Sequence, residues 1–425
     1  MWVRKRLDIG WLDLAAAAAY SLVPWPQTDC EAMAEQAWPD PGEAFATLSV
    51  RSGFDLLLDA LELPAQSEIL ISAFTIPDMV RIIAAHDLVP VPVDLSLDTM
   101  GPDPASLRRA ITPQSRVLVT AHLLGGRFPM PPILEIAKEH RLLLVEDCAQ
   151  AFDGGRFIGH PNADVSMFSF GSIKTATALG GAILRVRDAQ LLASLRLRST
   201  QRPLQPRAAF FARLAKYSVL KAMSSRPVFG AIVHGCAAFG QPYDRFVNGT
   251  VRGFAGSNFF ERIRRRPSAP LLALLRRRLR GYDRQRVAIR ARRGHLLTKL
   301  LSDHVVWPGR SMESPTYWVF PIVVENPNEV ILALRQAGFD ATQGQSMCAV
   351  PPPPNRPELT PYVASHLLEK SVYLPIYSAM TESAVRKMAD VVCRVARRPA
   401  FVDELPTRGV RPDDGSEAES LASQQ

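Results

Sequence analysis

Cysteine is scarce in this chain, with five among 425 residues. Cys30, Cys148, Cys236, Cys348 and Cys393 form no CxxC pair and are odd in number. That pattern excludes a disulfide framework or a zinc ribbon and fits a reducing cytoplasm. Long apolar runs are lacking too. The amino terminus has Arg4, Lys5 and Arg6 and, after Asp8, the stretch Trp11 to Tyr20, a superficial signal-peptide look. Asp8 and Asp13 interrupt it, and the apolar part is too short to span a bilayer. An amphipathic helix at a membrane surface or against a partner subunit is the expectation. Acid is nearly missing from one stretch. Residues 262–293 hold thirteen arginines and one acid, Asp283, a local charge of +12 in a chain whose net charge is +9. The remainder therefore carries −3 and is not basic. Such a block either touches phosphate on nucleic acid, lipid or a nucleotide, or forms the solvated face of helices. Leu271, Leu272, Leu274, Leu275 and Leu279 give it an apolar side at helical spacing. It matches no recognisable nucleic-acid-binding motif. Internal repeats are not evident.

What is present is a globular composition, 47% hydrophobic and 21% charged, at a length that suggests two or three domains. From 45 to 190 helices and short apolar strands alternate. Phe54–Leu61, Ile76–Ala85, Leu107–Ile111 and Ile133–His140 read as helical. Glu68–Ser72, Val89–Asp94, Arg116–Thr120 and Leu142–Val145 read as strands. The expected fold class is α/β, a large domain with a mostly parallel sheet covered by helices plus a smaller carboxyl-terminal α/β domain. The expected divisions are 1–44, an amphipathic segment; 45–190, the large domain; and 191–255, an apolar and basic insertion of short helices that cap a site, lie on a membrane or pack on the large domain. Then come 256–310, an Arg-rich helical segment; 311–400, the small domain with a strand over Thr316–Val324 and Thr381 as a helix N-cap; and 401–425, a disordered tail.

The chemistry concentrates at two strand ends. Leu142–Val145 leads into Glu146-Asp147-Cys148-Ala149-Gln150, and a later strand is followed by Ser169-Phe170-Gly171-Ser172-Ile173-Lys174. In a parallel sheet both fall at carboxyl ends, where ligands bind. A strand-end carboxylate with a Ser and a Lys fits a pyridoxal phosphate (PLP) site. There the Lys forms a Schiff base with the aldehyde, the Asp holds the ring nitrogen protonated and the Ser takes phosphate. The alternative from spacing alone is a surface Lys and an ordinary strand-end Asp. Cys148 packs as a small apolar residue.

With these residues in view, the chain resembles the DegT–DnrJ–StrS family of PLP-dependent sugar aminotransferases, of fold type I, over roughly 45–190 and 315–395. The resemblance rests on Glu146-Asp147-Cys148-Ala149-Gln150-Ala151, Gly159, Asp164, Ser169-Phe170, Lys174 and Gly180-Gly181, in the family's order. Phe74-Thr75, Ile111-Thr112-Pro113, His122 with Gly125, and Tyr373-Leu374-Pro375-Ile376-Tyr377 extend it. It implies that Lys174 and Asp147 are catalytic and hold the cofactor. It further implies that Gln150 orients the ring and that Ser169, Ser52 and Gly53 bind phosphate at a helix start. No metal is implied.

The implied reaction moves an amino group from an amino-acid donor, glutamate being the expectation, to a keto-sugar or related metabolite. A homodimer is implied, nucleic acid is not, and the expected location is cytoplasmic with peripheral contact at the inner membrane face. Three departures stand out. Phe54 replaces a phosphate-binding Thr, Ile76 replaces an aromatic residue that stacks on the cofactor, and the family's partner-reaching Asn is replaced by Arg264 or met by Asn258. These motivate an alternative, a non-catalytic or membrane-associated relative that binds partners in polysaccharide or lipid biosynthesis.

Overall fold

Val89-Pro90-Val91-Pro92-Val93 can join a sheet only at an edge, because a proline has no N–H for a second neighbour. In the computed structural model it does so. The structure describes residues 1–404 apart from Lys5, Arg226, Pro227, 232–257, 302–304 and Gln345. The strand, β4 (Val89–Val93), pairs with β2 (Glu68–Ser72) alone. Val89 donates to Ser67 and Val93 accepts from Ala73, so the intervening prolines face outward.

The central sheet has the order β1–β8–β7–β6–β5–β2–β4, with β1 at Ala44–Thr47, β5 at Ser115–Ala121, β6 at Leu143–Asp147, β7 at Val165–Ser169 and β8 at Ala182–Val186. Strands β4, β2, β5, β6 and β7 run parallel. β8 is antiparallel to β7, and β1 to β8. Alternate residues feed two cores. Ile69, Ile71, Val117, Val119 and Val145 pack on one face, while Leu70, Leu118 and Leu144 pack on the other. Burial on both faces is why these strands read as unbroken apolar runs. The helices α3 (Val50–Leu61) and α4 (Pro77–Ala84) contribute Leu57 and Ile82 to the first core, and α5 (Pro104–Ala110) and α6 (Pro131–Glu139) contribute Leu107 and Ile133 to the second.

A further apolar cluster joins α1 (Trp11–Leu22), α2 (Gln27–Glu35), α8 (Arg207–Met223) and the helix Ala269–Arg280, through Leu14, Ala34, Leu214 and Leu271. α7 (Ala189–Thr200) precedes α8. The carboxyl-terminal part has its own core, with Phe320 and Ile322 of β9 (Phe320–Val323), Leu334, Leu374 of β11 (Ser371–Leu374), Val385 and Met388. β9 and β11 pair antiparallel. A short ladder between β3 (Phe74–Thr75) and β10 (Cys348–Ala349) ties this part back to the large one.

Several expectations need correction. α3 starts a turn earlier than the apolar pattern suggests, because Ser49 accepts the Ser52 N–H at 3.1 Å and caps the helix. The stretch expected to form short helices includes α8, a single helix of 17 residues. The strand expected over 316–324 is only Phe320–Val323, since Thr316 is drawn aside to donate its N–H and hydroxyl to the Gly125 carbonyl, both at 2.7 Å. The tail expected from 401 opens with a helical turn, Phe401–Glu404, and residues 405–425 lie outside the described residues. Thr381 does cap its helix, accepting from Ala384 at 3.2 Å.

Candidate active site

β6 and β7 are neighbours, and both end at the same edge of the sheet. β6 ends in Asp147, while β7 ends in Ser169 and turns at once into the loop that carries Lys174. Parallel pairing from Val145 to Asp147 fixes the two ends side by side. Asp147 is half-buried, and its carboxylate accepts the Ala149 N–H at 2.9 Å. Burial pushes its pKa up, and the opposing influences of that N–H and of the Lys174, His122 and Arg51 charges do not bring it back. A carboxyl in this state is one that gains from a further cation in the pocket.

Lys174 lies with its ammonium 4.1 Å above the centre of the Trp318 ring, a cation–π contact. Its loop is pinned at three points, Ile173, Thr175 and Ala176. The Trp318 indole N–H donates to Ile173 O at 3.1 Å, Arg290 reaches Thr175 Oγ1 at 3.3 Å, and Asp8 accepts the Ala176 N–H at 2.9 Å. Asp8 is itself held by the Tyr282 hydroxyl at 2.8 Å and by Arg286 at 2.6 Å. The amino-terminal segment therefore serves as a brace on the lysine loop. Gly125 lets Trp318 come so close. Its φ is +90°, and a Cβ there would sit 2.5 Å from the Trp318 backbone nitrogen.

Gln150 is at the same edge, with its side-chain oxygen committed to the Leu124 N–H at 2.9 Å, so its NH2 is what it can offer a ligand. Ser169 is half-buried and makes only a long contact, 3.4 Å, with the Gly171 N–H. Behind them Glu146 is fully buried. Burial alone would raise its pKa, but hydrogen bonds from His122 (3.0 Å), Ser166 (2.7 Å) and the His160 N–H (2.8 Å) hold it below the usual value. Burial raises the Cys148 thiol well above its ordinary range, so Cys148 is packing and not a nucleophile.

The helix-start residues are arranged differently from the expectation. The Ser52 N–H goes to Ser49, its hydroxyl pairs with Ser49 Oγ at 2.9 Å, and the Gly53 N–H goes to Ser49 O. Gly53 is a packing position, since a Cβ there would lie 2.6 Å from Leu184 Cδ1. Neither residue offers its amide to an anion, and the first-turn amides without an intrahelical acceptor are those of Val50 and Arg51. Phe54 is fully buried in the core. Arg264 bonds Asp55 at 3.1 Å, so it is not placed as a phosphate ligand. Sequence reasoning missed Arg213 as well. It comes from α8, and its Nη1 lies 3.6 Å from where a Cβ on Gly180 would stand. Gly181 next door donates to Leu48, which precedes the α3 cap.

The donor set suits PLP. It comprises an amine, a buried carboxylate in need of a cation, a hydroxyl, an amide NH2 and a helix start flanked by arginine. Asp147, Gln150, Ser169 and the Lys174 loop follow β6 and β7 at one sheet edge, while the amides of Ser52 and Gly53 are bonded to Ser49.

Residues 37–206 match the DegT/DnrJ/EryC1/StrS aminotransferase family. The L-glutamine:2-deoxy-scyllo-inosose aminotransferase of Micromonospora echinospora is 31% identical over 147 residues, 34% of this chain and 35% of that protein. The GDP-perosamine synthase of Caulobacter vibrioides is 31% identical over 157 residues, 36% of this chain and 42% of that protein. Matches to the curated relatives thus span about 40% of their length. The sugar aminotransferase CalS13 of Micromonospora echinospora superposes with a TM-score of 0.68 at 18% identity, over 93% of this chain and all of that one. The fold is therefore that of the solved sugar aminotransferases, with the mostly parallel sheet and smaller carboxyl-terminal unit described above.

Proposed function

We propose, on the premise that residues 37–206 belong to the DegT/DnrJ/EryC1/StrS aminotransferase family, that this protein is a PLP-dependent aminotransferase. It would take the amino group of a donor of the glutamate or glutamine type and deliver it to a keto group on a sugar or a related cyclic polyol. The observation that carries the reading is the placement of Asp147 at the end of β6 and of Lys174, whose charge acts on it, in the loop that leaves the neighbouring β7. A homodimer belongs to the same reading.

PLP supplies an aldehyde and an electron-withdrawing ring, so that an amino group can leave one carbon and join another. The chain's own residues supply the rest. Lys174 would hold the cofactor through its Nζ and would serve as the group that carries a proton at the reacting carbon. To do so it must leave the Trp318 ring, which favours the charged amine. Asp147 would accept the ring N–H, and that cation would be the partner its carboxyl gains from. Gln150 would offer its NH2 to the ring, and Ser169 would donate its hydroxyl to the phosphate. Trp318, Arg290 and Asp8 fix the loop so that Nζ returns to one place after each turnover.

A non-catalytic role is not favoured, because the relatives are named for the reaction they perform. The test is a titration of the purified protein with PLP, followed in the visible range and then with a panel of amino donors. A yellow species bleached by glutamate or glutamine is expected, and a protein that takes up no PLP would end this reading. The brace gives a second expectation. Asp8→Ala should weaken PLP uptake by between about tenfold and a hundredfold, read in the same titration, while Trp fluorescence and melting show the fold intact.

A further inference from the structure

α1 and α8 lie side by side in opposite directions. Lys221, near the end of α8, donates to Ile9 O at 2.6 Å just before α1, and Arg207, at the start of α8, donates to Tyr20 O at 3.2 Å near the end of α1. Their inner faces meet through Leu14, Ala17, Phe210, Leu214 and Tyr217. Their outer faces are apolar in a way no soluble helix pair needs. On α1 Trp11 is 56% exposed, Leu12 79% and Leu22 80%, and Val23 and Trp25 follow. On α8 the exposed positions are Ala208, Ala209, Phe211, Ala212, Ala215, Lys216, Val219 and Ala222, a single charge among apolar residues. Contiguous exposed apolar surface of this kind marks an interaction face.

Its charge decides what it meets. Asp13 is the sole carboxylate in the two helices, and it is turned to Arg277 (2.8 Å) and Arg278 (2.6 Å). The cations of the two helices, by contrast, are Lys216 in the open, Arg207 and Lys221 with their donors on backbone carbonyls, and Arg213, which is turned to Tyr217. Lys221 also stands 5.5 Å over the Trp11 ring. A second copy of the chain docked here about a two-fold axis would set like charges against each other. A bilayer with anionic headgroups accepts both the apolar residues and the cations, with tryptophan at the boundary.

We propose that the α1–α8 face seats this protein on an anionic membrane surface, lying in the interface without crossing it. Among the described residues no helix is long and apolar enough to cross. The inference is independent of the transamination reading, since it uses no residue of that site. The test uses the full chain with vesicles of phosphatidylcholine and phosphatidylglycerol, or phosphatidylcholine alone, in a sedimentation assay, with oligomeric state followed by light scattering. Binding to the anionic vesicles is expected, falling as salt rises. Lys216→Glu should weaken it at least about fivefold, and the Leu12→Asp, Phe211→Asp pair should abolish it while the melting temperature is kept. Absence of binding at low salt overturns the proposal, as does binding indifferent to these substitutions. A change of oligomeric state in the Asp variants with vesicle binding intact overturns it too, and makes the face a subunit contact.

Discussion

Lys174→Ala is expected to lower the transamination rate by at least about a thousandfold, since on the proposed function it removes both the attachment point of the cofactor and the group that carries the proton. The fold should survive, because the Lys174 side chain rests on Trp318 and not in the core. Two measurements separate this from a general defect. Borohydride treatment of the wild-type protein with PLP should fix the cofactor mass on the peptide that contains Lys174, and the variant should carry none. Melting curves of the two apoproteins should coincide within a few degrees. Full activity in the variant, or label on another lysine, would move the chemistry elsewhere.

The largest expected effect on stability lies at Asp55, away from the site. This fully buried carboxylate of α3 meets Arg202 at 2.7 Å, Arg264 at 3.1 Å and His86 at 3.1 Å. Burial would raise its pKa. Hydrogen bonds from His86 and Arg264, with the charges of Arg202 and Arg264, outweigh that and bring it down to about 2. An unfolded Asp titrates at about 3.9, so the folded form is favoured at any pH well above that value by roughly 2–3 kcal/mol. The gain is lost as pH falls from about 4 through about 2. Asp55→Ala leaves the largely buried Arg202 without its counter-charge and should cost about 3–5 kcal/mol at neutral pH. Urea unfolding at pH 7 checks the size. Repeating it between pH 4 and pH 2 should show a shallower loss in the variant than in wild type. Equal slopes would mean the carboxylate is not held low.

Much of the architecture was legible because it is local. Strands buried on both faces must be apolar throughout, so Leu142–Val145 and Glu68–Ile71 could be read directly. The placing of Asp147 and Ser169 at strand ends was legible for a related reason, since the apolar runs that precede them mark where the strands stop. Helix starts were harder. The sequence pointed to Ser52 and Gly53 as the start of α3, and only the observed N–H bond shows Ser49 to be the cap.

The arginine block shows where local reading stops. Its composition is equally compatible with a free basic surface and with internal ties, and the partners that decide lie far away in sequence. Arg266 pairs with Glu31, Arg277 and Arg278 with Asp13, Arg286 with Asp8, and Arg293 with Glu382. The block thus fastens the amino-terminal helices and the lysine loop to the rest of the molecule. Sequence by itself determined the α/β sheet, its order of elements and the residues at its ligand-facing edge, because those follow from side-chain period and strand direction. Only the tertiary structure decided that Asp8, Arg290 and Trp318 brace Lys174, that the amides of Ser52 and Gly53 are bonded to Ser49, and that α1 and α8 share one apolar face. Each of those depends on contacts between distant segments, and such contacts leave no trace in the spacing of neighbouring residues.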